Sequence, residues 1–257
     1  MPGTAEPDFL DRYLERTGLV DDDVARSEPG HELLGRVVAS HIGSVPFENL
    51  DIHRGRVAAV DEASIVDKIL RRRRGGICYE MNGILAKALQ ALGFQVALIG
   101  ASVYTPAGDL GRPLGHMAVR VSTADDHWLA DVGFGGSSIV MPISSSQVST
   151  AFDVTTSTGR YRTDPAPRPL GDFAEMARWH STSPDARFTG SIVCSITIGS
   201  CRSTLSRRLS DCFTLTETDI HSGAKTRVAV IDSDVVDLFR TRFGVALTDV
   251  PEPADFR

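Results

Sequence analysis

The spacing of apolar residues changes at Gly93, and this change limits the folds open to the chain. Before Gly93, apolar side chains recur at intervals of three and four residues, which is the spacing of one face of an α-helix. After it, short runs rich in β-branched and aromatic residues alternate with turn residues, a pattern typical of strands. The runs that predict strands are FQVALIGASVY, HMAVRVS, HWLADV and SSIVMPI. Because the helices precede the strands instead of alternating with them, the pattern predicts an α+β fold.

Four segments before Gly93 predict helices, and particular residues mark where those helices begin and end. The segments are DFLDRYLERTGL, HELLGRVVASHI, ASIVDKILRRRR and the stretch from Cys78 through ILAKALQAL. Gly18 is expected to stop the first helix, and Asp61 to cap the third with its side chain. The glycine pair at 75–76 breaks the third helix, so we expect the fourth to begin at about Cys78. Gly93 suits the left-handed position that follows a helix.

The second half of the chain is less regular. Residues 143–187 hold few apolar runs and many Ser, Thr, Pro and Gly residues, so we expect loops with short strands there. Further strands are predicted in RFTGSIVCSITIG, CFTLTETD and KTRVAVID, and a short amphipathic helix in the closing DSDVVDLFRTRFGVAL. At 257 residues the chain is near the length at which one core divides into several, so two or three lobes are expected.

Composition and charge narrow the classes of function. The net charge of −6 argues against a general nucleic-acid binder, and we interpret the RRRR run at 71–74 as a solvated helix end. No stretch approaches the ~18 apolar residues of a membrane helix, and the first residues lack the pattern of a signal peptide. Four cysteines without a CxxC pair are not a disulfide framework. We therefore expect a cytoplasmic protein with no nucleic-acid or membrane partner.

One cysteine stands where nucleophilic chemistry could occur: Cys78, in RRRRGGICYEMNG at 71–83. A thiol acts as a nucleophile in its thiolate form, which a neighbouring imidazole and a helix N-terminus both stabilise. Cys78 would lie at a helix N-terminus if the fourth predicted helix begins at this residue. The alternative is that Cys78 is only a small buried side chain, which is a common role for a free cysteine.

His116 and Asp131 lie where a β-hairpin would bring them together. The segment TADD at 123–126 predicts a turn between HMAVRVS and HWLADV, and antiparallel pairing about that turn places His116 opposite Asp131 or one step away. The carboxylate would bind one imidazole nitrogen and leave the other for a thiol, which makes a Cys–His–Asp triad. The alternative for His116 is a polar residue at the start of a surface strand. No residue pair has the close spacing of zinc ligands, so no metal is expected.

Four motifs, taken together, resemble those of the arylamine N-acetyltransferases. They are PFENLDIHRGR at 46–56, RGGICYEMNG at 74–83, GHMAVRV at 115–121 and DVGFGG at 131–136, and STSPDARF and LFRTRFGVAL look similar as well. The resemblance maps the family's triad onto Cys78, His116 and Asp131. It implies three units, which are a helical bundle at 1–93 that carries the nucleophile, a β-barrel at 94–200 that carries His and Asp, and an α/β lid at 201–257.

The same resemblance implies a mechanism and further site residues. A cysteine thiolate takes an acyl group from a thioester, and an aromatic amine then takes it from the cysteine, without a metal or a bound cofactor. Glu48, Arg74 and Asn82 would support the cysteine loop as buried polar groups. The residues implied to contact substrate are Phe47 in the acceptor pocket, Tyr79 beside the cysteine, and Gly133, Phe134 and Gly135 in a turn that an acyl donor can approach closely.

One stretch departs from the family pattern. Residues 136–179 look short, and the family's aromatic-rich hairpin is not evident there. A wider cleft beside the triad would suit a large acyl group, as in the amide synthases of ansamycin antibiotic biosynthesis, which resemble the acetyltransferases. We therefore favour a macrolactam-forming amide synthase, which takes a polyketide from a carrier-protein thioester and closes it through the polyketide's own aryl amine. The alternative is an arylamine N-acetyltransferase supplied by acetyl-CoA.

Two alternatives come from other classes of protein. A cysteine hydrolase would use the same triad with water as the acceptor, but it has no reason to carry PFENL and DVGFGG in this order. A non-catalytic binding module would be a family member that has lost catalytic residues. All three triad residues are present in this sequence, which argues against that class.

Overall fold

The structure combines helices with strands. It is a computed structural model that describes residues 8–20, 24–123, 126–135, 137–208 and 211–252. The helices are α1 (Phe9–Thr17), α2 (His31–Ser44), α3 (Glu62–Val66), α4 (Cys78–Ala91), α5 (Ala174–Thr182) and α6 (Asp232–Phe243). Short 3₁₀ turns occur at Val24–Arg26, Ile52–Arg54 and Leu170–Phe173, and a π-helical turn at Asp67–Arg71 continues α3. The predicted mixture of α and β structure is confirmed. None of these described helices is long and apolar enough to cross a membrane.

The strands form two antiparallel sheets. The bounds are β1 (Phe47–Glu48), β2 (Gln95–Val103), β3 (His116–Ser122), β4 (His127–Phe134), β5 (Ser137–Ile143), β6 (Asp153–Thr156), β7 (Gly159–Pro167), β8 (Ser191–Ile198), β9 (Cys201–Arg208), β10 (Phe213–Asp219) and β11 (Lys225–Val230). The first sheet has the order β5-β4-β3-β2-β7-β6, and the second has the order β1-β8-β9-β10-β11. Within the described residues the first sheet has two edge strands, β5 and β6, so the β-barrel that the resemblance implies is not closed here.

The predicted helix ends are confirmed. Gly18 ends α1 with a φ of 75°, and the Asp61 carboxylate accepts a hydrogen bond from the Ser64 amide at 2.9 Å at the start of α3. Helix α4 begins at Cys78, and Gly93 follows it with a φ of 89°, in the left-handed region. These features could be predicted because a cap depends on residues within one turn of the helix end.

The prediction for residues 143–187 was incomplete, because helix α5 lies there. Its buried residues are Met176, Ala177, His180 and Ser181, of which only two are apolar, so the helix gives a weak periodic signal and depends on packing. Strand β9 was missed as well. Its sequence, CRSTLSRR, contains no apolar run, and it is held in place by pairing with β8 on one side and β10 on the other.

The second sheet joins segments that are distant in the chain. Strand β1 comes from the first 93 residues, yet it pairs with β8, where Phe47 faces Ser195 and Glu48 faces Cys194. Strand β8 ends before residue 200 and pairs along its whole length with β9, which follows it. The division of the chain into units at 93 and 200 stays a prediction.

Helix α4 lies across the first sheet and contacts β2, β3 and β4. Its buried residues Met81 and Leu85 belong to the same apolar core as Met117 and Val119 of β3. This packing places the first turn of α4 beside the start of β3 and the end of β4. These are the positions of the three residues that the sequence suggested as a triad.

Candidate active site

Cys78 is the first residue of α4, so its side chain lies at the positive end of the helix dipole. The preceding residue, Ile77, is extended, with a φ of −85° and a ψ of −178°. Glu80 holds this entry to the helix, because its Oε2 atom accepts a hydrogen bond from the Ile77 amide at 2.9 Å. Cys78 is 3% exposed. The side chain of Cys78 is therefore almost fully buried from solvent, at a helix end that favours negative charge.

His116 and Asp131 meet across the β3–β4 hairpin. The register pairs Val119 with Ala130, so His116 and Asp131 share one face of the sheet at diagonal positions. His116 Nε2 lies 2.7 Å from Asp131 Oδ2, and both side chains are buried, with 3% and 0% exposure. The centre of the predicted turn, residues 124–125, lies outside the described residues. The hairpin nevertheless brings the two side chains into contact as the spacing predicted.

Asp131 is held by several donors besides His116. Its Oδ1 atom accepts hydrogen bonds from Asn82 Nδ2 at 2.9 Å and from the Gly133 amide at 2.8 Å. Asn82 in turn accepts the Val132 amide at 3.0 Å and donates to the Met117 carbonyl at 2.6 Å. With both oxygens engaged in hydrogen bonds, this carboxylate cannot rotate freely. Asn82 thus connects α4 to both strands of the hairpin.

The pKa of His116 follows from these neighbours. Burial alone would lower it, but the carboxylate of Asp131 and the thiol of Cys78 oppose burial and raise the pKa of His116 from 6.5 to about 10. Since Asp131 takes Nε2, the ring nitrogen that remains for the Cys78 sulfur is Nδ1. The imidazolium form is thus held through neutral pH and is lost only as the pH rises toward about 10.

Two aromatic rings enclose His116. The ring centre of Phe134 lies 5.0 Å from the imidazole and that of Tyr161 lies 4.9 Å from it, and the two aromatic rings also touch each other. Tyr161 is fully buried. Burial and the neighbouring Asp131 carboxylate raise the pKa of Tyr161 well above its usual value, so its hydroxyl stays protonated. These rings restrict both the movement of the imidazole and its access to water.

Gly133 lies directly against the nucleophile. A Cβ atom at this position would lie 2.6 Å from Cys78 Cα, 2.7 Å from Asn82 Nδ2 and 2.9 Å from Cys78 Cβ. No real side chain fits at such distances. The close approach of β4 to the start of α4 therefore requires a glycine here, independently of any role in binding substrate.

Under the mechanism that the family resemblance implies, replacing Gly133 with alanine is expected to lower the rate of Cys78 acylation about 100-fold. The methyl group would push the start of α4 away from β4, and a displacement of about 1 Å between reacting groups costs roughly that factor. The matched control is Gly171→Ala, since a Cβ there meets nothing within 4 Å. Single-turnover acylation followed by mass spectrometry measures both variants. A Gly133→Ala rate within twofold of the wild-type rate would contradict the steric argument.

A network of buried charges lies behind the cysteine loop. Arg74 Nε donates a hydrogen bond to Glu48 Oε1 at 3.0 Å, and Arg74 Nη2 lies 2.8 Å from the same oxygen and 3.3 Å from Asp51 Oδ1. Lys68 Nζ lies 3.0 Å from Asp51 Oδ2 and 2.8 Å from Glu80 Oε1. The interpretation of RRRR as a solvated run is right for Arg71, Arg72 and Arg73, which are exposed, but wrong for the buried Arg74.

This network also binds the backbone of the loop. Glu48 accepts hydrogen bonds from the Leu50 amide at 2.8 Å and from the Gly75 amide at 3.3 Å. Burial would lower the pKa of Lys68, but Glu80, Glu48 and Asp51 outweigh burial and raise it, so the ammonium stays charged. The side chains of Glu48, Arg74 and Asn82 thus lie around the cysteine loop. Their supporting role in catalysis stays a prediction.

The residues expected to contact substrate have different exposures. Phe47 is buried, and its ring centre lies 5.8 Å from that of Phe188. Tyr79 is fully buried, and its hydroxyl donates to the Leu114 carbonyl at 2.8 Å, so none of its surface is open to a substrate in this structure. Phe134 is half-buried, and Gly135, with a φ of 64°, is exposed beside it. Their contacts with substrate stay predictions.

A sequence profile of a family described as N-acetyltransferase matches residues 32–163 and 150–251, which is nearly the whole chain. The chain belongs to this family. The matched residues include all three members of the predicted triad, so the resemblance to arylamine N-acetyltransferases is confirmed.

Individual proteins with similar sequences are also N-acetyltransferases. A pineal-gland arylamine N-acetyltransferase of Gallus gallus is 42% identical over 109 residues, which are 42% of this chain and 38% of that protein. The arylamine N-acetyltransferase of Mycolicibacterium smegmatis is 42% identical over 139 residues, or 52% of this chain and 49% of that protein. Each of these two matches thus spans less than half the length of the relative.

The solved structure of Nocardia farcinica arylamine N-acetyltransferase matches over a greater length. It superposes with a TM-score of 0.75 at 30% sequence identity, and the match covers 95% of this chain and 91% of the other. The fold of the present N-acetyltransferase family member therefore matches that of this relative over most of both chains.

Three residues near the triad of this N-acetyltransferase family member were not found from sequence. Tyr161 reaches His116 from β7, and Lys68 and Asp51 complete the charge network. Tyr161 lies in a stretch interpreted as loops, and the two charged residues were given no role in the site. A signal was available for Lys68, since it follows Ile65 by three residues and so falls on the apolar face of its helix.

Proposed function

We propose that this chain is an acyltransferase that moves an acyl group from a thioester to an aromatic amine through an acyl-Cys78 intermediate. The observation that carries the proposal is the 2.7 Å contact between His116 Nε2 and the buried Asp131. It leaves Nδ1 for the sulfur at the start of α4 and holds the imidazole in its charged form. Cys78, His116 and Asp131 would act as nucleophile, proton carrier and orienting carboxylate.

The proposed reaction has two steps. The Cys78 thiolate attacks the thioester carbonyl, the carbon–sulfur bond of the donor breaks, and the donor thiol leaves with the proton held on His116. An aromatic amine then attacks the acyl-cysteine, and its proton passes to the neutral imidazole. Cys78 leaves as a thiolate, which restores the starting ion pair. No proton or electron is left over at the end of the cycle.

Acetyl-CoA is the donor that the comparisons favour. The named relatives are arylamine N-acetyltransferases, and nothing in the matches supports a macrolactam-forming amide synthase, a polyketide substrate or a carrier-protein partner. The expectation of a large acyl group rested on a loss of cover between residues 136 and 179. That stretch instead contains β6, β7 and α5, and it supplies Tyr161 against His116. We therefore withdraw the amide synthase as the favoured function.

The proposal is tested by intact-protein mass after incubation with acetyl-CoA. We expect one acetyl group per chain, none in Cys78→Ala, and loss of the group on addition of aniline with formation of acetanilide. A parallel sample receives a long-chain thioester that carries an aryl amine. Cyclisation of that thioester without an acetyl adduct would restore the amide synthase. An adduct that is lost to water at the same rate with and without aniline would indicate a hydrolase instead.

A further inference from the structure

The backbone that leads into His116 is strained. Leu114 has a φ of 57°, in the left-handed region that side chains other than glycine rarely occupy. Its side chain packs over Gly100, where a Cβ atom would lie 2.3 Å from Leu114 Cδ2. A residue in such a conformation persists only where its surroundings hold it. Strand β3 and the imidazole begin two residues later.

Two buried side chains hold this strained segment by its carbonyl groups. Tyr79, the neighbour of Cys78 in α4, donates its hydroxyl to the Leu114 carbonyl at 2.8 Å. His180 of α5 binds the next carbonyl, that of Gly115, through Nε2 at 2.9 Å. Consecutive carbonyls just before His116 are thus bound from the two helices that flank them.

Helix α5 makes a further contact with the same segment. The Arg112 guanidinium lies 4.9 Å from the ring centre of Trp179, which precedes His180 in the chain. The Arg112 carbonyl also accepts the Gly115 amide at 3.2 Å, which closes a turn. The segment from Arg112 to Gly115 is therefore joined to α5 at both of its ends.

The protonation states of both donors follow from their surroundings. A carbonyl only accepts, so His180 Nε2 carries the proton and Nδ1 does not. Burial lowers the pKa of His180, and the positive charge of His116 acts in the same direction, so the ring is neutral. Burial and Cys78 raise the pKa of Tyr79, which keeps its hydroxyl a donor.

We infer that His180 and Tyr79 are positioning residues, which fix the backbone before His116 and thereby set the distance between the imidazole and Cys78. Neither needs to touch substrate. The inference deepens the proposed function and rests on it, because the pair it positions is the proposed nucleophile and its proton carrier. Tyr79 is fully buried and would act through its hydrogen bond to the Leu114 carbonyl, without contact with substrate.

The test compares His180→Leu with His180→Gln. The glutamine side chain can place an N–H donor close to the position of Nε2, whereas leucine cannot. We expect His180→Leu to lower the single-turnover rate of Cys78 acetylation at least 10-fold with the KM for acetyl-CoA within twofold, and His180→Gln to stay within threefold of wild type. Tyr79→Phe should lower the rate in the same way. His221→Leu, at an exposed histidine, is the control.

A second readout separates this inference from the proposed function. Alkylation of Cys78 by iodoacetamide needs no acyl donor, and the exposed Cys212 serves as an internal reference. Slower alkylation of Cys78 in His180→Leu, with Cys212 unchanged, supports positioning even if acetyl-CoA gives no adduct. Wild-type rates of alkylation in His180→Leu would overturn the inference. Equal loss of rate and of Tm in the Leu and Gln variants would also overturn it, since that outcome indicates general packing.

Discussion

Asparagine in place of Asp131 is expected to lower the rate of acyl transfer about 10⁴-fold, the effect of the same change in other triads. Asp131 binds His116 Nε2 at 2.7 Å and is itself held by Asn82 and by the Gly133 amide. The asparagine side chain would keep the size of the group but lose its charge. Its amide could also face the imidazole as a donor and select the wrong tautomer.

The pH behaviour of His116 provides the decisive measurement for Asp131→Asn. In the wild type the pKa of His116 is raised to about 10, so the imidazolium persists through neutral pH. Without the carboxylate, burial dominates, and we expect the ring to titrate well below 10 and be neutral at pH 7. NMR of the ring protons across pH 5–11 follows this change. Asp153→Asn, at a half-exposed carboxylate beside Arg162, should change neither rate nor titration. A variant ring still charged at pH 9 would refute the role given to Asp131.

Methionine in place of Lys68 is expected to lower the free energy of unfolding by about 3–5 kcal/mol. Lys68 is 3% exposed and lies between Asp51 and Glu80. Its removal leaves two buried carboxylates with one cation fewer, and a charge buried without a partner is strongly unfavourable. Because Glu80 also holds the Ile77 amide, we expect acylation of Cys78 to fall together with stability.

Urea denaturation measures the stability effect, with Lys87→Met as the control. Lys87 also pairs with a carboxylate, Glu62, at 2.7 Å, but at the surface, so its loss should cost about 0–1 kcal/mol. The double variant Lys68→Met with Glu80→Gln should recover part of the stability, since it removes one unpaired charge. Equal losses in Lys68→Met and Lys87→Met would show that the buried network contributes no more than a surface pair.

The parts of this molecule that were predicted from sequence are those set by local rules. The start of α4 at Cys78 follows from a glycine pair and a helical pattern within one turn of each other. The meeting of His116 and Asp131 follows from a short hairpin, in which residue numbering fixes which side chains share a face. The motifs then identified the family. The start of α4 and the meeting of His116 with Asp131 each depend on residues within about 15 positions of one another, and each motif is equally short.

The parts that were missed depend on contacts between distant segments. Tyr161 reaches His116 from a strand 45 positions away, and no periodicity connects the two residues. Helix α5 and strand β9 are stabilised by their neighbours more than by their own sequences. The preference for an amide synthase, which the comparisons do not support, had the same origin. A segment poor in aromatic residues was taken to leave the triad uncovered, although its single tyrosine, Tyr161, packs against His116.

Asn49, the residue after β1, is bound to a much later part of the chain. Its amide nitrogen donates to the carbonyls of Phe188 and Ser191 at 2.8 and 2.7 Å, and its oxygen accepts the Val193 amide at 2.8 Å. Strand β1 pairs with β8 in the same place. During synthesis on the ribosome, the nucleophile and its neighbours emerge long before these partners do. Asn49 and β1 therefore gain these partners only after the chain has been made as far as residue 195, so this part of the fold is completed late in synthesis.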